Sequence, residues 1–167
     1  MKAQHINPFI DSVSELFESM LDCPAHAGKI GLSDDKQEDD PYIIGLIGLS
    51  GTAKGIISIK LPEETARKVI GRMVGMEFDE VDSTVIDGVG ELVNIIAGNA
   101  KSKFEGHSIS LSLPSVVRGN LYKLQNIGKM VWLSLPFESE LGNFFIEISF
   151  KSVVDWEKEV IDASAGS

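Results

Sequence analysis

Asp87-Gly88-Val89-Gly90-Glu91-Leu92-Val93-Asn94-Ile95-Ile96-Ala97-Gly98-Asn99 is the stretch on which the reading of this chain turns. At about 100° per residue, a helix through it gathers Val85, Val89, Leu92, Val93, Ile96 and Ala100 on one apolar arc. Asp87, Glu91, Asn94 and Gly98 cluster on the opposite side. Glu91 and Asn94 are i,i+3 neighbours, so both side chains can reach one external target. Glycine inside a helix costs about 1 kcal/mol relative to alanine, so Gly88, Gly90 and Gly98 require a reason. Gly98 leaves a notch beside the pair where another backbone or side chain can approach. A Glu-x-x-Asn helix face is also an ordinary solvated surface, and glycine also permits close helix packing. By itself the stretch leaves both readings open.

Outward from this helix, predicted over about Ser83 to Phe104, the chain alternates helical and β-rich segments. Ile6, Phe9, Ile10, Val13, Leu16, Phe17 and Met20 recur at helical spacing, predicting an amphipathic helix that ends before Pro24. Residues 33–41 form an acidic loop whose like charges resist packing. Tyr42 to Leu49 and Lys54 to Leu61 are β-rich runs around the turn residues 50–53. Pro62, followed by Glu63 and Glu64, opens a second helix running to about Gly75. Ser108 to Leu113, Met130 to Phe137 and Phe144 to Phe150 read as further strands, the last two as a hairpin. In that hairpin Val131, Leu133, Leu135 and Phe137 alternate, as do Phe144, Ile146, Ile148 and Phe150, so each strand has one face suited to a helix layer. Segregated hairpins and helices favour an α+β two-layer sandwich with a largely antiparallel sheet, not a βαβ nucleotide fold. One domain over 1–155 is expected, with an acidic, small-residue tail over 156–167 that frays.

Bulk properties exclude several functions. The net charge of −10, with no basic stripe, argues against nucleic acid. No apolar run reaches the length of a membrane span and no signal peptide opens the chain. A single cysteine, Cys23, forbids an internal disulfide and fits a reducing compartment, so a cytoplasmic protein is expected. Cys23 and His26 have a zinc-like spacing, but no second ligand pair follows, and a helix end with a buried thiol accounts for them better. No metal is assigned. His107 lacks a nucleophile motif and reads as a surface residue at a strand start. Gly48 to Gly55 lacks the Gly-Lys-Ser/Thr ending of a phosphate loop and reads as a hairpin turn. Asp79, Glu80 and Asp82 suit the positive end of the helix they precede.

In this context the motif resembles that of the CheC/CheX/FliY phosphatases of bacterial chemotaxis, the CheX branch most. Asp87, Glu91, Asn94 and Gly98 match the family pattern in order, and Leu61 to Ala66, Gly75 and the opening Ile6 to Ile10 are similar too. The first helix offers Glu15-Leu16-Phe17-Glu18 without an asparagine, which implies one site per chain. Pro114 follows Asn94 after nineteen intervening residues, where the family has somewhat more than twenty. The resemblance implies a CheC-like fold and a phosphatase acting on the aspartyl phosphate of a CheY-like receiver domain. Asn94 would orient the attacking water, Glu91 would pair with a receiver lysine, and Asp87 and Gly98 would support the pair or contact the partner. It implies Mg²⁺ on the receiver and no cofactor on this chain. A non-catalytic receiver-binding or flagellar-switch module is the alternative. A homodimer through the β-sheet is expected, partly from the resemblance and partly because the apolar hairpin of Met130 to Phe137 and Phe144 to Phe150 would invite association as a free edge.

Overall fold

The computed structural model describes residues 3–32, 41–119 and 132–152. Three helices, α1 (Ala3–Leu21), α2 (Glu63–Val74) and α3 (Ser83–Ser102), form one layer. The other is a sheet of β1 (Ala25–Ala27), β2 (Gly31–Leu32), β3 (Tyr42–Gly51), β4 (Ala53–Pro62), β5 (Ile109–Leu111), β6 (Ser115–Gly119), β7 (Leu133–Ser139) and β8 (Phe144–Ser152). Every pairing in it is antiparallel, in the order β1-β7-β8-β4-β3-β5, with β2 also on β7 and β6 also on β3. This is the α+β sandwich expected from the sequence.

Alternation along the strands explains how the two layers meet. Ile43, Ile47 and Leu49 of β3, Ile57, Ile59 and Leu61 of β4, Leu135 and Phe137 of β7, and Phe144, Ile146 and Ile148 of β8 enter one core with the helices. Phe17 of α1 stacks on Phe144 at 5.0 Å, and Phe144 stacks on Phe137 at 5.2 Å. These contacts bind the first helix to the last two strands. Local signals set the helix ends. Asp82 caps α3 by accepting from the Val85 N–H at 3.0 Å. Gly75 ends α2 with φ +73°, a left-handed conformation that glycine adopts without penalty.

Two expectations need correction. The β7–β8 hairpin is not a free edge. β8 lies between β7 and β4, while the outer side of β7 pairs with β1 through Ala25–Ala27 and with β2 through Gly31 and Leu32. Pro136 has no N–H for a ladder, and the outer partner divides around it, with Gly28 N–H donating to the Pro136 carbonyl at 2.7 Å. The edge argument for a dimer therefore falls. Second, β5 ends at Leu111, and β6 is a strand that the sequence reading passed over. The tail over 156–167 and residues 33–40 of the acidic loop lie outside the described residues, as do Met130 and Val131 of the expected strand. Among the described residues no helix is long and apolar enough to cross a membrane.

Candidate functional site

The site is built from the way α3 is seated. Val85, Val89, Leu92, Val93 and Ile96 are fully buried, each contributing about 1.5–3 kcal/mol. Beneath them, a Cβ on Gly45 of β3 would come 3.1 Å from both the Val89 carbonyl and Val93 Cγ1. Gly88 is as tight against α2, where an added Cβ would meet Ile70 Cγ2 at 2.5 Å. Gly90 faces the edge strand, with Val116 Cγ2 at 3.3 Å and Pro114 Cγ at 3.9 Å from the same built position. Two of the three helix glycines thus serve packing inside the chain.

The opposite face carries the expected residues. Asp87, Glu91 and Asn94 are exposed on successive turns of α3, with Gly98 half-buried one turn further on. Among the described residues neither Glu91 nor Asn94 is engaged in a hydrogen bond or ion pair. An ionised carboxylate only accepts, whereas a carboxamide both donates and accepts, so the pair can hold a cation and a water side by side. Asp87 and Glu91 are like charges at i,i+4, a mutual repulsion of about 0.2–0.5 kcal/mol that a cation brought by a partner relieves. Gly98 differs from Gly88 and Gly90, because a Cβ there would have nothing within 4 Å. Its helix penalty has no packing reason among the described residues.

Surrounding groups are structural. Arg118 of β6 meets Glu63 at 2.6 Å, and that hydrogen bond raises the guanidinium pKa above its ordinary value. The Lys68 hydrogen bond and charge hold the Glu64 carboxyl below the usual carboxylate range. Cys23 is buried while His26 is exposed on β1. His107 is half-buried, edge-on to Phe104 and 3.4 Å from Thr52 Oγ1. Among the described residues no three His, Cys, Asp or Glu side chains group to hold a metal. A cavity of about 530 Å³ lies along α2, bounded by Arg67, Arg72, Met76, Phe78 and Leu141, and no α3 residue lines it. Sequence reasoning did not single out Val116, which packs beside α3 at Gly90. Only Pro114 carried a signal, and its departure in spacing does not take it away from α3.

A protein of the CheC-like superfamily from Shewanella sp. PV-4 shares this architecture. It is 31% identical with a TM-score of 0.81, and the match covers 91% of this chain and 100% of that one. The class is therefore that of the CheC-like proteins. The family described as "Chemotaxis phosphatase CheX" matches residues 43–138, from β3 into β7. The "CheY-P phosphatase CheX" of Thermotoga maritima is 31% identical over 156 residues, spanning 91% of this chain and 99% of its own length. This chain belongs to the CheX family, and it is a phosphatase and so a hydrolase. A solved CheX-CheY-BeF3-Mg²⁺ complex from Borrelia burgdorferi is also similar, at 26% identity and TM-score 0.72, covering 89% of this chain and 98% of that one.

The two kinds of glycine on α3 separate in a stability measurement. Gly98→Ala should raise the unfolding free energy in urea by about 1 kcal/mol, the helix-propensity difference. Gly88→Ala gains the same propensity but overpacks Ile70, and should lower stability by about 1–3 kcal/mol. A destabilised Gly98→Ala would mean that Gly98 has an internal role after all.

Proposed function

We propose that this chain hydrolyses the aspartyl phosphate of a CheY-like receiver domain, with Asn94 orienting the attacking water and Glu91 binding a receiver lysine. The observation that carries the reading is the outward pair itself, a carboxylate and a carboxamide on one helical face with no side-chain partner among the described residues. The relative named a CheY-P phosphatase and the neighbour solved as a complex with CheY support the choice of substrate.

The chemistry asks little of the enzyme beyond positioning. Water oxygen bonds to phosphorus, the P–O bond to the aspartyl carboxylate breaks, and the carboxylate leaves with the electron pair while the water proton goes to the released phosphate. Such transfer responds mainly to alignment and charge stabilisation. A carboxamide cannot act as a base at neutral pH, so Asn94 holds water in line with phosphorus through donor and acceptor together. Glu91 fixes the docked orientation through the lysine, Asp87 supports the same cation, and the open space at Gly98 admits the receiver backbone. A receiver substrate of this kind, with the single cysteine, supports the cytoplasm as the compartment of the reaction.

Asn94→Ala should leave the fold and receiver binding intact while lowering the saturated rate of phosphate release about a hundredfold, roughly 2.7 kcal/mol of barrier. Glu91→Ala should lose turnover and Glu91→Lys should lose more, since like charges then meet at the docked face. Normal turnover by Asn94→Ala or Glu91→Lys would sink the corresponding assignment. Receiver binding without faster hydrolysis by the parent chain would leave a non-catalytic binding module.

Mg²⁺ is assigned to the receiver. Calorimetry on the isolated chain should therefore detect no stoichiometric Mg²⁺ uptake, and tight one-to-one uptake would overturn the assignment.

The homodimer through the β-sheet stands on the family likeness alone, now that β7 is paired on both sides. Light scattering should report about twice the 18.1 kDa chain mass, with one receiver bound per chain at saturation. A monomer at tens of micromolar would remove the dimer and leave the catalytic reading untouched.

A further inference from the structure

We infer that Leu113 is a docking contact for the receiver domain, held out beside the Asn94 helix by a β-bulge; the inference rests on the phosphatase reading above. β5 and β6 both pair with β3 and form one interrupted edge strand. Leu49 pairs with Leu111 and Leu46 with Ser115, so two residues of β3, Ile47 and Gly48, oppose Ser112, Leu113 and Pro114. One residue on the edge is surplus. Such bulges bend a strand and re-aim a side chain.

The bulge is held on both sides. The Ser112 N–H donates to the Gly48 carbonyl at 2.9 Å, and the Ser112 hydroxyl accepts from the Gly48 N–H at 2.8 Å. Leu111 and Val116 pack against the core cluster. Pro114, which suits a bulge because it has no N–H to donate, lies 3.9 Å from where a Cβ on Gly90 of α3 would stand. Leu113 lies between these fixed points and is 88% exposed, the highest value among the exposed large apolar side chains of the described residues. With its neighbours fixed, it cannot withdraw into the core.

Its position makes the partner specific. Asn94 is one turn beyond Gly90, and viewed down the helix Asn94 falls between Gly90 and Glu91, about 40° from the first and 60° from the second. Leu113 is one Cα step of about 3.8 Å from Pro114, which abuts Gly90. The carboxamide is therefore flanked by a carboxylate on one side and an apolar shoulder on the other. A receiver that seats its phosphoryl group over Asn94 and its lysine on Glu91 extends over Leu113, where it must present an apolar depression. Burying the leucine there excludes water at the rim of the reacting centre.

The test uses the full chain, a phosphorylated CheY-like receiver and the same receiver loaded with Mg²⁺ and beryllofluoride. Leu113→Ala should raise KM about fivefold and Leu113→Asp about fiftyfold, with kcat within about twofold of the parent, the pattern of lost uniform binding. Affinity for the loaded receiver should fall in parallel, Leu113→Met should restore it, and thermal midpoints should stay unchanged. If the parent hydrolyses the phosphoreceiver and Leu113→Asp keeps its KM and affinity, the docking role is wrong and the phosphatase reading stands. If the parent binds without accelerating hydrolysis and Leu113→Asp loses binding, the docking role stands and the phosphatase reading falls. Absence of binding by the parent overturns both. A change of assembly mass in Leu113→Asp places a second copy on the bulge and overturns the inference.

Discussion

The contact between α3 and β3 is the constraint on which the outer surface depends. Gly45 is a point of close approach, and Val89 and Val93 occupy the volume that any side chain there would need. Ile43, Ile47 and Leu49 fill the rest of that strand's inner face. A helix seated on a glycine, between two isoleucines, has one depth and one rotation. Gly88 then limits its approach to α2, and Gly90 its approach to the edge strand. Reacting groups lose function when displaced by about half an ångström. Three close approaches on the inner side fix the stretch of backbone from which Glu91 and Asn94 project.

A protruding pair suits a substrate that is itself a folded protein. Small molecules are enclosed by concave, mostly apolar pockets, and the cavity along α2 is far from meeting that description for a phosphate ester. Its arginines are committed, Arg67 Nη1 donating to the Phe78 and Asp79 carbonyls at 3.1 and 3.3 Å, and Arg72 Nη1 to the Leu21 carbonyl at 2.9 Å. On the proposed reading the phosphoryl group is held by the receiver, and a helix presenting Glu91 and Asn94 three residues apart is the ridge that meets it from outside.

The parts of this structure that could be read in the sequence are those with a strong local period. Helix α3 and its outward face followed from the 3.6-residue spacing of Val85, Val89, Leu92, Val93 and Ile96, and the β3–β4 hairpin from two β-rich runs around a glycine turn. Strands β1, β2 and β6 escaped because none has a period of its own. Ala25–Ala27 and Gly31–Leu32 are two or three residues long and become strands through pairing with β7 on either side of Pro136. The hairpin looked like an edge because partners that short carry no strand signal of their own. Leu113 was read as the end of a regular strand because surplus is a property of two strands in register, and one strand's sequence does not contain it. The same limit applied to the glycines. Their spacing was visible, but only the neighbours distinguish Gly88, filled by Ile70, from Gly98, which faces open space.

The break in the edge strand has a second consequence. An unbroken β5–β6 strand would offer a long row of free N–H and C=O groups to any other chain. Instead the outer margin comprises three residues, a bulge containing proline, and five more, and the other margin is made of β1 and β2. Short, interrupted edges pair poorly with neighbours. Keeping Leu113 outward therefore does not expose the sheet to indiscriminate strand addition, because the residue that presents an apolar side chain also stops the ladder beside it. On the proposed reading, the edge nearest α3 is left to recognise a partner by side-chain shape and charge, with Leu113 on the bulge beside the helix that carries Glu91 and Asn94.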